Sequence, residues 1–254
     1  NFSLSEVVKM KNELSKYGAK KWYSELIFGM PYETKESHIE SIRKLIDLDL
    51  EVWVYNLHLL PGTEMYTEDY RKKYFKKTGW RLHTNCYGVY EREKIYELQE
   101  VVLETHTLSV EDFRYFRFFH FLQQMMWSKQ WYYDYLKFLK MHNIHPVDIF
   151  DKVIEKCKKD NGKMGNLYSE FMKDYDTAES FETAKELKKY WEKDSNFNRL
   201  KNADYGKLNM HYTYKTVLDN RDAFIKLLLD ISKEYSASLS LGSNNFIEAC
   251  EEIL

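Results

Sequence analysis

Apolar and polar positions recur in two different rhythms along the first sixty or so residues, and the change of rhythm predicts the elements. From Leu4 to Tyr17, the residues Val7, Val8, Met10 and Leu14 fall at mixed helical spacing, and Gly18 offers a C-terminal cap. Trp22 to Met30 (WYSELIFGM) is a short, mostly apolar run closed by Pro31, which reads as a buried strand. Thr34 can cap a helix through Leu48 that carries Ile39, Ile42, Leu45, Ile46 and Leu48 along one face. Glu51 to Leu60 (EVWVYNLHLL) is rich in β-branched and aromatic residues and ends at Pro61 and Gly62, predicting a second strand. Strand, helix and strand so closely joined form a βαβ unit, whose two strands are expected to pair in parallel through a right-handed crossover.

Beyond Glu64 the rhythm changes. Thr67 to Trp80 is basic and aromatic without a clear period and predicts a loop with a short helical piece. After Tyr90 everything reads as helix: about Arg92–Thr105, Val110–Ser128, Gln130–Met141, Pro146–Lys158, Leu167–Tyr175, Phe181–Lys193, Lys207–Tyr235 with a break, and Asn244–Ile253. Ser109 ahead of Glu111 and Asp112, Pro146 after His145, and Ser243 mark helix starts. The expected fold class is therefore α/β to mostly α, with the βαβ unit in residues 1–66 and a large helical domain in residues 67–254. Only three prolines and nine glycines interrupt the chain, which agrees with long helices.

Composition narrows the partners. The 254 residues are 44% hydrophobic, enough to fill a sizeable core. With 38 Lys and Arg against 40 Asp and Glu, the net charge of −2 creates no broad field, so no nucleic acid is expected as a partner. No run approaches the ~18 to 20 apolar residues of a membrane span, and the polar, amphipathic start is no signal peptide, so no membrane association and a soluble, cytoplasmic protein are expected. The chain begins at Asn1, inside a helical pattern, and reads as a fragment. Cys86, Cys157 and Cys250 are odd in number and far apart, which argues against disulfides and Cys-x-x-Cys knuckles and predicts mostly buried thiols.

The most informative stretch is Ser24 to Thr63. Gly29, at the C-terminal end of a strand, leaves room for a ligand to approach the backbone, and Pro31 ends the strand. Ligands of parallel α/β folds bind outside the carboxyl ends of the strands, where Gly29-Met30-Pro31 and Leu59-Leu60-Pro61-Gly62 fall. The segment Glu25-Leu26-Ile27-Phe28-Gly29-Met30-Pro31-Tyr32-Glu33-Thr34, with Tyr55-Asn56-Leu57 and Leu60-Pro61-Gly62-Thr63, resembles the late strands of the radical S-adenosylmethionine (radical SAM) partial barrel, especially in cobalamin-binding members. The likeness is strong over about forty residues and continues weakly through Tyr87 to Leu122, which is similar to the helical region after the barrel.

This resemblance implies a partial parallel (β/α) barrel fragment from the C-terminal half of such an enzyme. It implies that Ile27 lies against the adenine of S-adenosylmethionine, that Gly29 permits close approach, and that Asn56 and Leu57 line the adenine edge. Two positions depart from the family's G-x-I-x-G-x-x-E pattern: Glu25 stands at its first glycine, and Glu33 falls one place late, although it suits the G-[LM]-P-x-E-T version. For the whole protein the implied cofactors are S-adenosylmethionine, a four-iron four-sulfur cluster and, in the cobalamin-dependent version, cobalamin. The implied reaction is reductive cleavage of S-adenosylmethionine or methyl transfer through cobalamin, on a small-molecule substrate that the sequence does not identify. The Cys-x-x-x-Cys-x-x-Cys loop is absent, so no metal ligand or catalytic residue is assigned and the chain alone is expected to be inactive. The alternative is a non-catalytic helical interaction module that keeps the strands as scaffold. Strand edges left unpaired predict that the helices, or a second copy, cover them.

Three other places could carry chemistry. Arg117, His120, Gln123, Gln124, Trp127 and Trp131 lie among many phenylalanines in Arg114–Trp131 and could line a pocket for a flat substrate, although such aromatic stripes usually bury themselves. His142 with His145, and His83 with His106, are candidate metal pairs, but Asn143 and Pro146 suggest a loop, and no metal site is assigned. The basic and aromatic run Arg71–Lys77 could grip a phosphate or an RNA strand, though most such runs are solvated faces.

Overall fold

In the computed structural model, which describes residues 4–18, 22–201, 208–239 and 243–254, Tyr23–Phe28 (β1) and Glu51–Asn56 (β2) pair in parallel. Their register runs from Tyr23 opposite Glu51 to Phe28 opposite Asn56. A short helix, Leu4–Ser15 (α1), precedes them, and Lys35–Asp47 (α2) makes the crossover. Thr34 starts α2 with a reciprocal cap: its hydroxyl accepts from the Ser37 N–H (3.1 Å), and Ser37 Oγ accepts from the Thr34 N–H (2.9 Å). The helix buries His38, Ile42, Leu45 and Ile46. Phe28 packs on His38 with ring centroids 4.5 Å apart, so α2 covers the face of the pair to which Phe28 belongs. Tyr23, Glu25 and Ile27 occupy the opposite, exposed face.

The short helical piece expected within Thr67–Trp80 is present, but the expected loop after it and the expected helix over Arg92–Thr105 are corrected by a long antiparallel hairpin. Glu68–Tyr74 (α3) leads into Phe75–Tyr90 (β3), which turns at Glu91 and Arg92 into Glu93–Thr105 (β4). Thus Arg92–Thr105 is a strand. Its apolar residues Ile95, Leu98 and Val101 imitate helical spacing, but the β-branched pair Val101–Val102 lies in a ladder with Gly79 and Thr78. The two turn residues both have positive φ, 49° and 76°, as a two-residue hairpin turn requires, yet neither is Gly, Asn or Asp. The hairpin also continues β2: Val102 donates to the Leu57 carbonyl (3.0 Å) and Leu59 donates to that of Glu100 (2.9 Å).

Helices follow: Val110–Gln123 (α4), Tyr133–Met141 (α5), Pro146–Lys159 (α6), Lys163–Ala178 (α7), Ala184–Glu192 (α8), Asp194–Lys201 (α9), Leu208–Tyr214 (α10), Arg221–Leu239 (α11) and Ser243–Ile253 (α12). Ser109 caps α4 in a reciprocal pair with Asp112, and Pro146 sits in the first turn of α6, both as the sequence predicts. The fold is mixed α/β, with 63% of the described residues helical. One core joins Phe28, Ile42 and Val52 to the phenylalanines of α4 and on to Phe246 and Cys250, so it draws on both sides of residue 66. A smaller core under the hairpin holds Leu82, Leu187, Trp191 and Phe197. No described helix is long and apolar enough to cross a membrane.

Candidate functional site

The site grows from the edge of β2. The bonds from the Glu51 N–H to Trp22 O (2.9 Å) and from the Leu57 N–H to Phe28 O (2.8 Å) show that odd-numbered residues of this segment face β1. Val52, Val54 and Asn56 therefore direct their backbone groups to the other edge. At Val52 the helices answer: Ser128 Oγ accepts from its N–H (2.9 Å) and Gln123 Nε2 donates to its carbonyl (3.0 Å). Val54 and Asn56 line a cavity of about 640 Å³.

Helix α4 forms the facing wall. Its phenylalanines, including Phe113, Phe116 and Phe119, enter the core, while Arg117, His120, Gln123 and Gln124 line the cavity. A π turn, Gln124–Ser128, ends this wall and brings Ser128 to β2; Trp127 inside it is buried and donates from Nε1 to the Leu50 carbonyl (2.7 Å). Trp127 is thus a core residue, whereas Trp131 is half-exposed at the cavity. Helix α10 closes the far side with Asn209 and Tyr214, and it too runs into a π turn, Lys215–Asp219.

Two arginines and one glutamate dominate the electrostatics. Arg117 grips Glu179 through Nε to Oε2 (2.8 Å) and Nη2 to Oε1 (3.0 Å), and its Nη1 donates to Asn209 Oδ1 (2.6 Å). Burial alone would raise the Glu179 carboxyl, but the Arg117 charge and hydrogen bonds outweigh it and hold Glu179 below the usual carboxylate range. Arg81, from β3, donates from Nη2 to His58 Nε2 (2.7 Å), which makes that nitrogen an acceptor. Burial, with the adjacent Arg81 charge, pushes His58 down to about 4, so its ring is neutral.

A buried relay runs from the loop after β1 to the cavity. Glu33 Oε2 accepts from the N–H groups of Gly29 (2.7 Å) and Met30 (3.3 Å), and Glu33 Oε1 lies 2.7 Å from His38 Nδ1. His38 Nε2 lies 2.8 Å from His120 Nε2. Glu33 Oε1 accepts from His38 Nδ1–H, and one proton lies between the two Nε2 atoms, with the tautomers of the two rings deciding which of them donates it. Burial first, then the positive charges of His38 and Arg117, keep His120 well below the ordinary histidine range. Such a chain can take up a proton at His120 and pass it toward Glu33 by tautomer exchange.

The residues implicated by the sequence do not converge on one pocket. Asn56 lines the cavity. Ile27 is 52% exposed on the uncovered face of β1, opposite Tyr55. Leu57 is buried, with its N–H and carbonyl engaged by Phe28 and Val102. Gly29 has φ of 94°, and a Cβ there would lie 2.9 Å from Phe113 Cζ, so its missing side chain admits a phenylalanine of α4. Gly29→Ala is therefore expected to destabilise the protein by about 2 kcal/mol through backbone strain and the displaced ring. Urea midpoints would measure this, and an unchanged midpoint would mean that Phe113 moves aside freely.

Several of the remaining candidates have structural partners. Arg71 forms a two-bond pair with Glu100 (2.6 and 2.7 Å), and Lys72 pairs with Glu68. His145 caps α6 by accepting from the Val147 N–H, His142 packs on Phe138 and Phe246, and His83 Nδ1 lies 2.9 Å from Cys86 Sγ. Among the described residues, no group of three or more His, Cys, Asp or Glu side chains is placed to hold a metal ion. Sequence reading misses His38, His58, Arg81 and Glu179. His38 leaves a trace, four residues before Ile42 on the apolar face of α2; the others depend on the unforeseen hairpin and on contacts remote in sequence. No family model matches the chain, and no curated protein matches it.

Proposed function

We propose that this chain is the C-terminal portion of a radical SAM enzyme, in which β1 and β2 are late strands of the partial barrel and the helices supply the substrate side. The observation that carries the reading is the parallel β1–α2–β2 unit with one face covered by α2 and the other left exposed. That exposed face, with Tyr23, Ile27 and Tyr55, suits the interior of a barrel whose other strands lie elsewhere in the protein. Ile27 and Asn56 are accessible for a nucleoside on this reading, whereas the backbone groups of Leu57 are already engaged.

The cysteines of this chain do not fit an iron–sulfur cluster. Cys157 is buried and its thiol pushed up to about 12 by that burial, Cys250 is buried in α12, and Cys86 lies on β3. Electron delivery is therefore left to residues outside this sequence, and no residue is assigned to cobalamin. The role left for the present residues is to hold the nucleoside edge at Asn56, enclose a small-molecule substrate in the cavity, and move a proton through His120 and His38.

The test uses the full reading frame that contains these residues, reconstituted with iron and sulfide under a strong reductant. Formation of 5′-deoxyadenosine from S-adenosylmethionine is expected from the long protein and not from residues 1–254 alone, and Asn56→Ala is expected to weaken S-adenosylmethionine binding about tenfold. A reading frame without a Cys-x-x-x-Cys-x-x-Cys loop would sink the proposal in favour of an interaction module. In that alternative the exposed face of β1 and β2 receives a partner or a second copy.

A further inference from the structure

We infer that the cavity beside β2 binds an organic oxyanion carried on a flat apolar body, and that Arg81 is the group that engages the anion. The inference takes the cavity as the substrate chamber, as proposed above, and names the chemistry it selects.

A guanidinium has five N–H donors and remains charged when buried. Arg81 uses Nη2 on His58, while its Nε is fully buried and has no protein partner. Buried donors are almost always satisfied, so an unanswered one on a guanidinium whose residue lines a cavity points to an acceptor supplied by a ligand. The charge balance points the same way. Glu179 is the only carboxylate among the described residues lining the cavity, and both its oxygens are committed to Arg117. His58 is neutral and accepts from Arg81, so it offers no compensating charge. Arg81 and Arg117 against Glu179 leave one net positive charge inside the cavity.

The walls set the rest of the ligand. Trp53, Tyr55, Trp131 and Tyr214 provide aromatic surface, and the Lys129 ammonium, 4.7 Å over the Trp53 ring, adds positive charge at the rim. Val54 and Asn56 turn backbone N–H groups to the same space, ready to share the oxygens of an anion. A volume of about 640 Å³ suits a metabolite-sized molecule. Carboxylates and phosphates both present a pair of oxygens that can accept two parallel N–H bonds from a guanidinium fork.

Calorimetric titration of the chain with phenyl phosphate, benzoate, neutral benzamide and inorganic phosphate tests this. Phenyl phosphate or benzoate is expected to bind at least tenfold more tightly than benzamide, to weaken as salt is added, and to exceed inorganic phosphate because the ring adds contact with the walls. Which of the two binds better tells phosphate from carboxylate. Arg81→Gln is expected to remove at least tenfold of the anion affinity and leave benzamide unchanged. Should Arg81→Gln fail to fold, Arg81→Lys keeps the charge without the fork and is expected to lose at least threefold, while Trp131→Ala is expected to weaken phenyl phosphate but not inorganic phosphate. Equal binding of benzamide and the anions, no binding by any anion, or full affinity in the Arg81 variants would overturn the inference. The titration needs neither cluster nor S-adenosylmethionine. Failure here beside intact S-adenosylmethionine cleavage would reject the anion site alone, and anion binding by a full-length protein that cleaves no S-adenosylmethionine would reject the enzyme reading alone.

Discussion

Glu179→Ala is expected to destabilise the protein by about 4 kcal/mol, the range seen when one partner of a buried ion pair is removed. The carboxylate takes two charge-assisted bonds from Arg117 and also offsets the charge of Arg81. Without it, two partly buried guanidiniums face one cavity with no counter-charge. A surface pair such as Lys72 with Glu68, both more than two-thirds exposed, is expected to yield less than about 0.5 kcal/mol on the same change, because water replaces the partner. The double variant Glu179→Ala with Arg117→Met is expected to recover more than half of the loss, since Met fills the space of the stem over Phe171 without a charge. Urea denaturation of the four proteins closes the cycle. A coupling near zero would mean that Glu179 does not act by neutralising Arg117.

How much of this can be read from sequence depends on whether the signal is local. The βαβ unit is legible because Pro31, Thr34 and Pro61-Gly62 punctuate it and because Glu51–Asn56 alternates β-branched and aromatic residues. The caps at Ser109 and Pro146 are equally local. The β3–β4 hairpin is not legible: its turn places Glu91 and Arg92 at positive φ without the usual glycine or asparagine, and EKIYELQEVVLET reads as a helix in isolation. Pairing with β3, and the bonds between Trp80 and Phe181 (2.7 and 3.0 Å), override that preference. The site divides along the same line. Asn56, Arg117 and His120 are candidates because they sit on elements the pattern predicts, while Arg81 and Glu179 meet only after the hairpin has folded. Gly29 shows the limit of motif reasoning: its glycine suits close approach of a ligand, yet in the fold Phe113 takes that room.

Lowering the pH from 7 to 4.5 is expected to remove about 3 kcal/mol of stability, most of it through histidines. His120, His58 and His145 are all depressed, in each case by burial first and then by nearby positive charge from His38 and Arg117, from Arg81 and His83, and from Arg43 respectively. A histidine depressed in the fold binds its proton more readily when unfolded, so below about 6.5 the unfolded state holds more protons and stability falls with pH. The loss continues down to each folded value, about 4 for His58. A fully buried histidine contributes at most about 1.4 kcal/mol per pH unit, and the part-buried His58 and His145 contribute less because water screens them. The carboxylates of Glu179, Glu100, Asp47 and Asp49 are held low, so their contribution is lost in a lower window, below about 4.5. His120→Gln is therefore expected to flatten the stability curve between pH 6.5 and 4.5 by about 2 kcal/mol, measured as urea midpoints at half-unit steps. A variant curve running parallel to that of the wild type would place the acid sensitivity outside the relay.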